Sequence, residues 1–140
     1  MLSLVFSIDD DPLVHMLTEI VLEDTQFCKR VIGFDTAQQA LDYFENQSKI
    51  PVENQQIPEL IFLDINMPVY DGWDFLDMFS TNYPSIISKV KIILLSSSVD
   101  PKDKIRANEN DLILDFFSKP LNVNDVEFLK QNPPFNNYFI

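Results

Sequence analysis

The 140-residue chain is poor in cysteine, in basic residues and in long apolar runs, and each shortage excludes something. Its one cysteine, Cys28, cannot close an intrachain disulfide, which fits a reducing compartment and a small side chain buried in a strand. Ten Lys and Arg stand against 22 Asp and Glu, a formal charge of -12, so the surface repels nucleic-acid phosphates and anionic lipid headgroups. Direct DNA binding and attachment to a membrane surface are not expected. The apolar stretch from Leu2 to Ile8 is too short to cross a bilayer, and no basic residue precedes it as in a signal peptide. A soluble, cytoplasmic protein is expected. There are only two glycines: Gly72 is placed to supply a permissive turn, and Gly33 a close approach or bend in a strand. The one histidine, His15, has no Cys, His or acidic partner at ligand spacing on its helical face and reads as an ordinary helix-surface residue.

What is present is apolar mass in a regular order. A hydrophobic content of 46% with twelve Phe supports one sizeable core, and 140 residues leave no room for a second folded domain. We read residues 1–140 as one domain, with a core over about 2–130 and a tail over 131–140. Leu2 to Ile8 is a buried strand that stops at Asp9, Asp10 and Asp11. Pro12 opens a helix capped by Asp11, with Leu13, Met16, Leu17, Ile20 and Val21 at helical spacing. Cys28 to Phe34 reads as a second strand, placed at a sheet edge by Lys29 and Arg30, and Thr36 with Gln39 starts a helix carrying Ala37, Ala40, Leu41 and Phe44. Residues 45–59 form a polar surface loop. Leu60 to Leu63 is a third strand ending at Asp64, followed by a helix marked by Trp73, Leu76 and Phe79. Val90 to Leu95 is a fourth strand ending at Ser96, and Asp100-Pro101 opens a helix with little apolar surface beyond Ile105 and Ala107, hence weakly held. It ends near Asn110, which can take a left-handed cap. Leu112 to Phe117 is a fifth strand ending at Ser118, Lys119 and Pro120, and Asn122 or Asn124 caps a last helix with Val126 and Leu129. Phe135, Tyr138, Phe139 and Ile140 then form an apolar tail expected to dock on the domain.

Five strands alternating with five helices require right-handed crossovers and a mostly parallel sheet, covered on both faces: a three-layer α/β sandwich. In such sheets ligands bind beyond the carboxyl ends of the strands. Asp9, Asp10, Asp64, Ser96 and Lys119 all stand at that edge. Two carboxylates about 4 Å apart repel by roughly 4 kcal/mol at an effective dielectric of ~20. A hard divalent ion relieves this, and Mg²⁺ characteristically uses one or two carboxylates, waters and a phosphate oxygen. Asp64 is then able to attack phosphorus and form an aspartyl phosphate, with the Lys119 ammonium covering part of the transferring charge and the Ser96 hydroxyl donating to a phosphoryl oxygen. Two added negative charges would reorient Ser96 and the weakly held helix behind it.

These residues resemble the receiver domain of two-component response regulators, in its stand-alone form, from Leu2 to about Lys130. The matching segments are Asp9-Asp10, Leu63-Asp64-Ile65-Asn66-Met67-Pro68 with Asp71-Gly72, Ser96, and Lys119-Pro120. The resemblance implies a flavodoxin-like, doubly wound αβα sandwich with five parallel strands in the order 2-1-3-4-5. It implies Asp64 as phosphoacceptor, Lys119 and Ser96 as the other catalytic groups, and Mg²⁺ or Mn²⁺ held by Asp9, Asp10, Asp64 and the Asn66 backbone carbonyl. It also implies a cis Lys119–Pro120 peptide and a switch made by Ser96 and Phe116. Phe116 stands where many members carry Tyr, so the switch relies on packing. Asn66 and Ser98 occupy positions that influence dephosphorylation in the family. The implied partners are a histidine kinase or histidine phosphotransfer protein and a downstream protein; the domain is a signalling switch and not a turnover enzyme. Two other classes fit less well. A haloacid-dehalogenase-type phosphatase resembles Asp-x-Asp where this chain has Asn66, and a flavodoxin would set its phosphate against three aspartates. The alternative within the fold is a pseudo-receiver that acts as an interaction module without phosphorylation.

Overall fold

The computed structural model describes residues 1–97 and 100–140. The chain alternates β1 (Val5–Ile8), α1 (Pro12–Asp24), β2 (Val31–Phe34), α2 (Ala37–Ser48), β3 (Leu60–Asp64), α3 (Gly72–Asn82), a short α4 (Pro84–Ile87), β4 (Lys91–Ser96), α5 (Pro101–Asn108), β5 (Ile113–Ser118) and α6 (Val123–Gln131). The strands form one parallel sheet in the order β2-β1-β3-β4-β5. Residues of β3 and β4 alternate between the two sides as the period of two demands. Ile61, Leu63, Ile92 and Leu94 join the core under α2, α3, α4 and α5, whereas Leu60, Phe62, Ile93 and Leu95 join the core under α1 and α6. Among the described residues no helix is long and apolar enough to cross a membrane.

The expected order of elements and the strand order both hold, with instructive local differences. The first two strands are shorter than expected, because outside Val5–Ile8 and Val31–Phe34 only a single parallel bridge joins Leu2 to Cys28. The turn of helix at Pro84–Ile87 is additional; Pro84 opens it and Ile86 and Ile87 are buried. Helix starts follow the capping residues: Asp11, Thr36, Asp71, Asp100 and Asn122 each accept a backbone N–H of the first turn. Asn110 does not take a left-handed cap; α5 ends on Glu109 in a right-handed conformation, and the Asn110 side chain instead accepts from Leu112 N–H at 3.0 Å. The left-handed cap occurs after α1, where Gln26 has φ 54°, Gln26 N–H donates to Glu23 O and Phe27 N–H to Leu22 O, both at 3.0 Å. This pair of bonds closes a Schellman motif and drops Phe27 into the core.

Helix α1 does not bury the face its periodicity indicated. Leu13, Met16 and Ile20 are exposed, while Thr18 and Leu22 are buried and Val14, His15, Leu17 and Val21 half-buried. Apolar residues surround this helix on most sides, so spacing alone does not select the inward face. The tail docks in part: Phe135 is buried, and Phe27 stacks on Phe139 with 5.4 Å between ring centroids and meets Phe135 edge-on at 6.1 Å, whereas Tyr138 and Ile140 are exposed.

Candidate functional site

Each acidic candidate is delivered by a strand that has just left the buried sheet. Asp9 follows β1, its N–H donating to Phe34 O at 3.0 Å, and its Oδ1 accepts from Asp11 N–H at 2.9 Å. Asp64 is the last residue of β3, with its Oδ1 accepting from the Asn66 N–H at 3.2 Å. Asp9 is only 2% exposed and Asp64 4%, whereas Asp10 is exposed. One carboxylate oxygen from each of Asp9, Asp10 and Asp64 lies within 4.8 Å of the others. Gly72 permits this packing through a close approach rather than a special turn: its φ is not positive, and a Cβ there would stand 2.7 Å from the Asp64 carbonyl oxygen.

Lys119 enters from the end of β5. Its N–H donates to Ser96 O at 2.8 Å and the Lys119–Pro120 peptide is cis. Its Nζ lies 2.6 Å from Asp9 Oδ2 and 3.3 Å from Asp64 Oδ1. The closer of these is a buried ion pair to an oxygen that accepts no backbone N–H. Burial, followed by the charge of Asp9, raises the pKa of the Asp64 carboxyl against the opposing pull of Lys119. Burial is also the largest influence on Lys119 and pushes its pKa down, but the Asp9 hydrogen bond and the Asp64 and Asp9 charges together outweigh it, and the ammonium is held more firmly than usual.

One ammonium cannot neutralise three carboxylates. The donor set is all oxygen and two of its carboxylates are buried with one ammonium between them; these features fit a hard divalent cation such as Mg²⁺ or Mn²⁺. Asp9, Asp10, Asp64 and Lys119 are thus brought together. Ser96, 1% exposed, ends β4 beside them through the Lys119 N–H, and pairs in register with Ser118. Asn66 is next to Asp64 through its amide N–H. Phe116 stands apart, half-buried in β5 against the core beneath α2–α5. Ser98 lies outside the described residues.

His15 is not a surface histidine. Its side chain is 16% exposed; Nδ1 lies 2.9 Å from Ser7 Oγ and Nε2 3.4 Å from Asp35 Oδ1. The ring fits because Gly33, on the neighbouring strand, has no Cβ: one would meet His15 Nδ1 at 3.1 Å. Ser7 and Asp35 belong to other elements, so no helical spacing could reveal them. Spacing places Trp73 on α3 but misses its partners: Nε1–H donates to Asp103 Oδ1 at 3.1 Å while the Arg106 guanidinium sits 4.3 Å from the ring centroid. A third unforeseen feature is Val69, in the loop after β3, which holds φ 69°, a region costly for a β-branched residue, and is almost wholly exposed.

Comparison with known proteins agrees with this architecture. The family model for the response regulator receiver domain matches residues 5–128. A two-component response regulator from rice, Oryza sativa, ORR1, is 25% identical over 134 residues, which cover 94% of this chain; the chain spans 55% of that relative's length. Among solved structures, a two-component response regulator from Cytophaga hutchinsonii superposes with a TM-score of 0.82 at 28% identity, covering 91% of this chain and 92% of the other. A response regulator receiver protein from Dyadobacter fermentans gives 0.75 at 25% identity, covering 92% and 96%.

Proposed function

This chain belongs to the response regulator receiver domain family, and from that premise we propose that it is a phosphoacceptor switch in which Asp64 takes a phosphoryl group from a histidine kinase or histidine phosphotransfer protein. The observation that carries the reading is the convergence of Asp9, Asp10 and Asp64 within 4.8 Å, with Lys119 between two of them. Asp9, Asp10, Asp64 and the Asn66 carbonyl would hold Mg²⁺ or Mn²⁺, which when bound supplies positive charge to the carboxylates and to the phosphoryl oxygens. An Asp64 carboxylate oxygen forms the new P–O bond as the P–N bond of the donor phosphohistidine breaks, and the departing imidazole keeps the electron pair and takes up a proton. Lys119, its pKa raised by these acids, stays charged through neutral pH and offsets part of the transferring charge.

Ser96 would turn its hydroxyl to the attached phosphoryl group, and Phe116 would follow by repacking, since it has no hydroxyl to bond outward. The exposed apolar row Leu13, Met16 and Ile20 on α1 begins two residues after Asp11 and suits the apolar face of a helical donor. The output is a protein contact at the surface made by α5, β5 and α6, altered by phosphorylation, in a cytoplasmic signalling module that does not turn over substrate or bind nucleic acid. Incubation with acetyl phosphate and Mg²⁺, followed by intact mass measurement, tests the reading. Wild type should gain one phosphoryl mass and Asp64→Asn none; no labelling of wild type by acetyl phosphate or a panel of phosphodonors would make the chain a phosphorylation-independent interaction module.

A further inference from the structure

Helix α5 has little to hold it. Of its eight residues only Ala107 is buried, and Ile105, its largest apolar side chain, is mostly exposed. Yet two of its polar residues, Asp103 and Arg106, lie three apart on one face and both grip Trp73 of α3. Asp103 Oδ1 accepts the indole N–H at 3.1 Å, and the Arg106 guanidinium stands 4.3 Å from the ring centroid. Trp73 is only 6% exposed, so an indole N–H that loses this acceptor has little water with which to replace it.

The other end of this connection is fixed on Asp64. Trp73 directly follows Gly72, whose N–H donates to Ile65 O at 2.8 Å and whose missing side chain lets the start of α3 lie against the Asp64 carbonyl. The indole is therefore a short arm from the acceptor segment to the weakly packed α5. We propose that Trp73, Asp103 and Arg106 form an autoinhibitory latch that holds α5 in its unphosphorylated position, so that the strength of this contact sets how readily phosphorylation shifts the helix. The proposal rests on Asp64 being the phosphoacceptor. The latch opposes the movement of α5 that follows Ser96, since carrying the helix away from α3 removes both the hydrogen bond and the ring contact.

Asp103 and Arg106 lie on a surface helix, so their replacement removes no core side chain. In the full-length chain without phosphodonor, Asp103→Ala and Arg106→Ala should each speed amide hydrogen exchange across residues 101–108, by about tenfold in the double variant. With Mg²⁺ present they should bind beryllofluoride about three- to tenfold more tightly than wild type, read by titration calorimetry. Asp103→Asn keeps the acceptor oxygen and should behave as wild type, whereas a role for Asp103 as a negative charge in the first helical turn predicts that it behaves as Asp103→Ala. Trp73, the chain's one tryptophan, should change its emission when beryllofluoride binds to wild type. Unchanged exchange over 101–108 in the double variant overturns the latch, as does an Asp103→Asn that matches Asp103→Ala, or a beryllofluoride affinity that stays level or falls. Failure of wild type to bind beryllofluoride at all, with exchange still raised in the variants, overturns instead the phosphoacceptor reading and the coupling to it, and leaves the contact as a purely structural clamp.

Discussion

At the amino end of the sheet Phe27 is enclosed by Phe135 and Phe139, while at the carboxyl end Asp9 and Asp64 face one another with Lys119 between them. Both regions are buried and both depend on residues distant in sequence. The aromatic end gains free energy simply by excluding water, because the three rings carry no polar group. The acidic end loses hydration from two carboxylates and recovers only part of it from one ammonium. Stability is thus built at one end of the molecule and withheld at the other, where a cation and a phosphoryl group have something to repair.

The largest break in that contrast should come from Phe27→Ala, which removes a fully buried ring from the apolar end and should lower unfolding stability by about 3–5 kcal/mol in urea titrations, with little effect on divalent-ion affinity. At the other end, Lys119→Met should cost about 3 kcal/mol at pH 7 without divalent ions, since Asp9 and Asp64 keep their burial and lose their counter-charge. Denaturation of this variant in added Mg²⁺ should show much of the loss reversed.

Asp64→Asn sharpens the comparison with an effect of the opposite sign. The Asp64 pKa is raised above its ordinary 3.8 by burial and by Asp9, so the folded state binds more protons than the unfolded chain between that value and the folded one. Stability contributed by the protonated carboxyl is complete below pH 3.8 and lost as pH rises through the folded pKa. The Asn variant, which does not titrate, should therefore be more stable than wild type at neutral pH in chelator, read as a higher Tm, and lose its advantage in acid. Mg²⁺ at ten times its dissociation constant should stabilise wild type by about 1.4 kcal/mol and the variant by much less.

Much of the carboxyl end was legible because its elements end abruptly. Asp9, Asp64, Ser96 and Lys119 each follow an apolar run, and in a parallel sheet all such ends share one edge. Caps were equally local: Asp11, Thr36, Asp100 and Asn122 act on N–H groups two or three residues away. The inward face of α1 was not legible, since Leu13, Met16 and Ile20 are as apolar as the residues that turn inward. Nor was the environment of His15, whose neighbours Ser7, Gly33 and Asp35 come from β1, β2 and the turn beyond. Asn110 had the chemistry of a left-handed cap, but Glu109 closed the helix in the ordinary conformation and Gln26 took the left-handed position elsewhere.

By itself the sequence determined the order of the main elements and where most helices start, that the three central strands are buried, and that acids and one lysine gather at a common edge, because caps, alternation and abrupt polarity act over a few residues. Only the tertiary structure decided which side of α1 faces water, that Gly33 admits an imidazole, and that Trp73 spans from the acidic site to α5. Those outcomes depend on distances between residues many positions apart, and such distances exist only once the layers have packed.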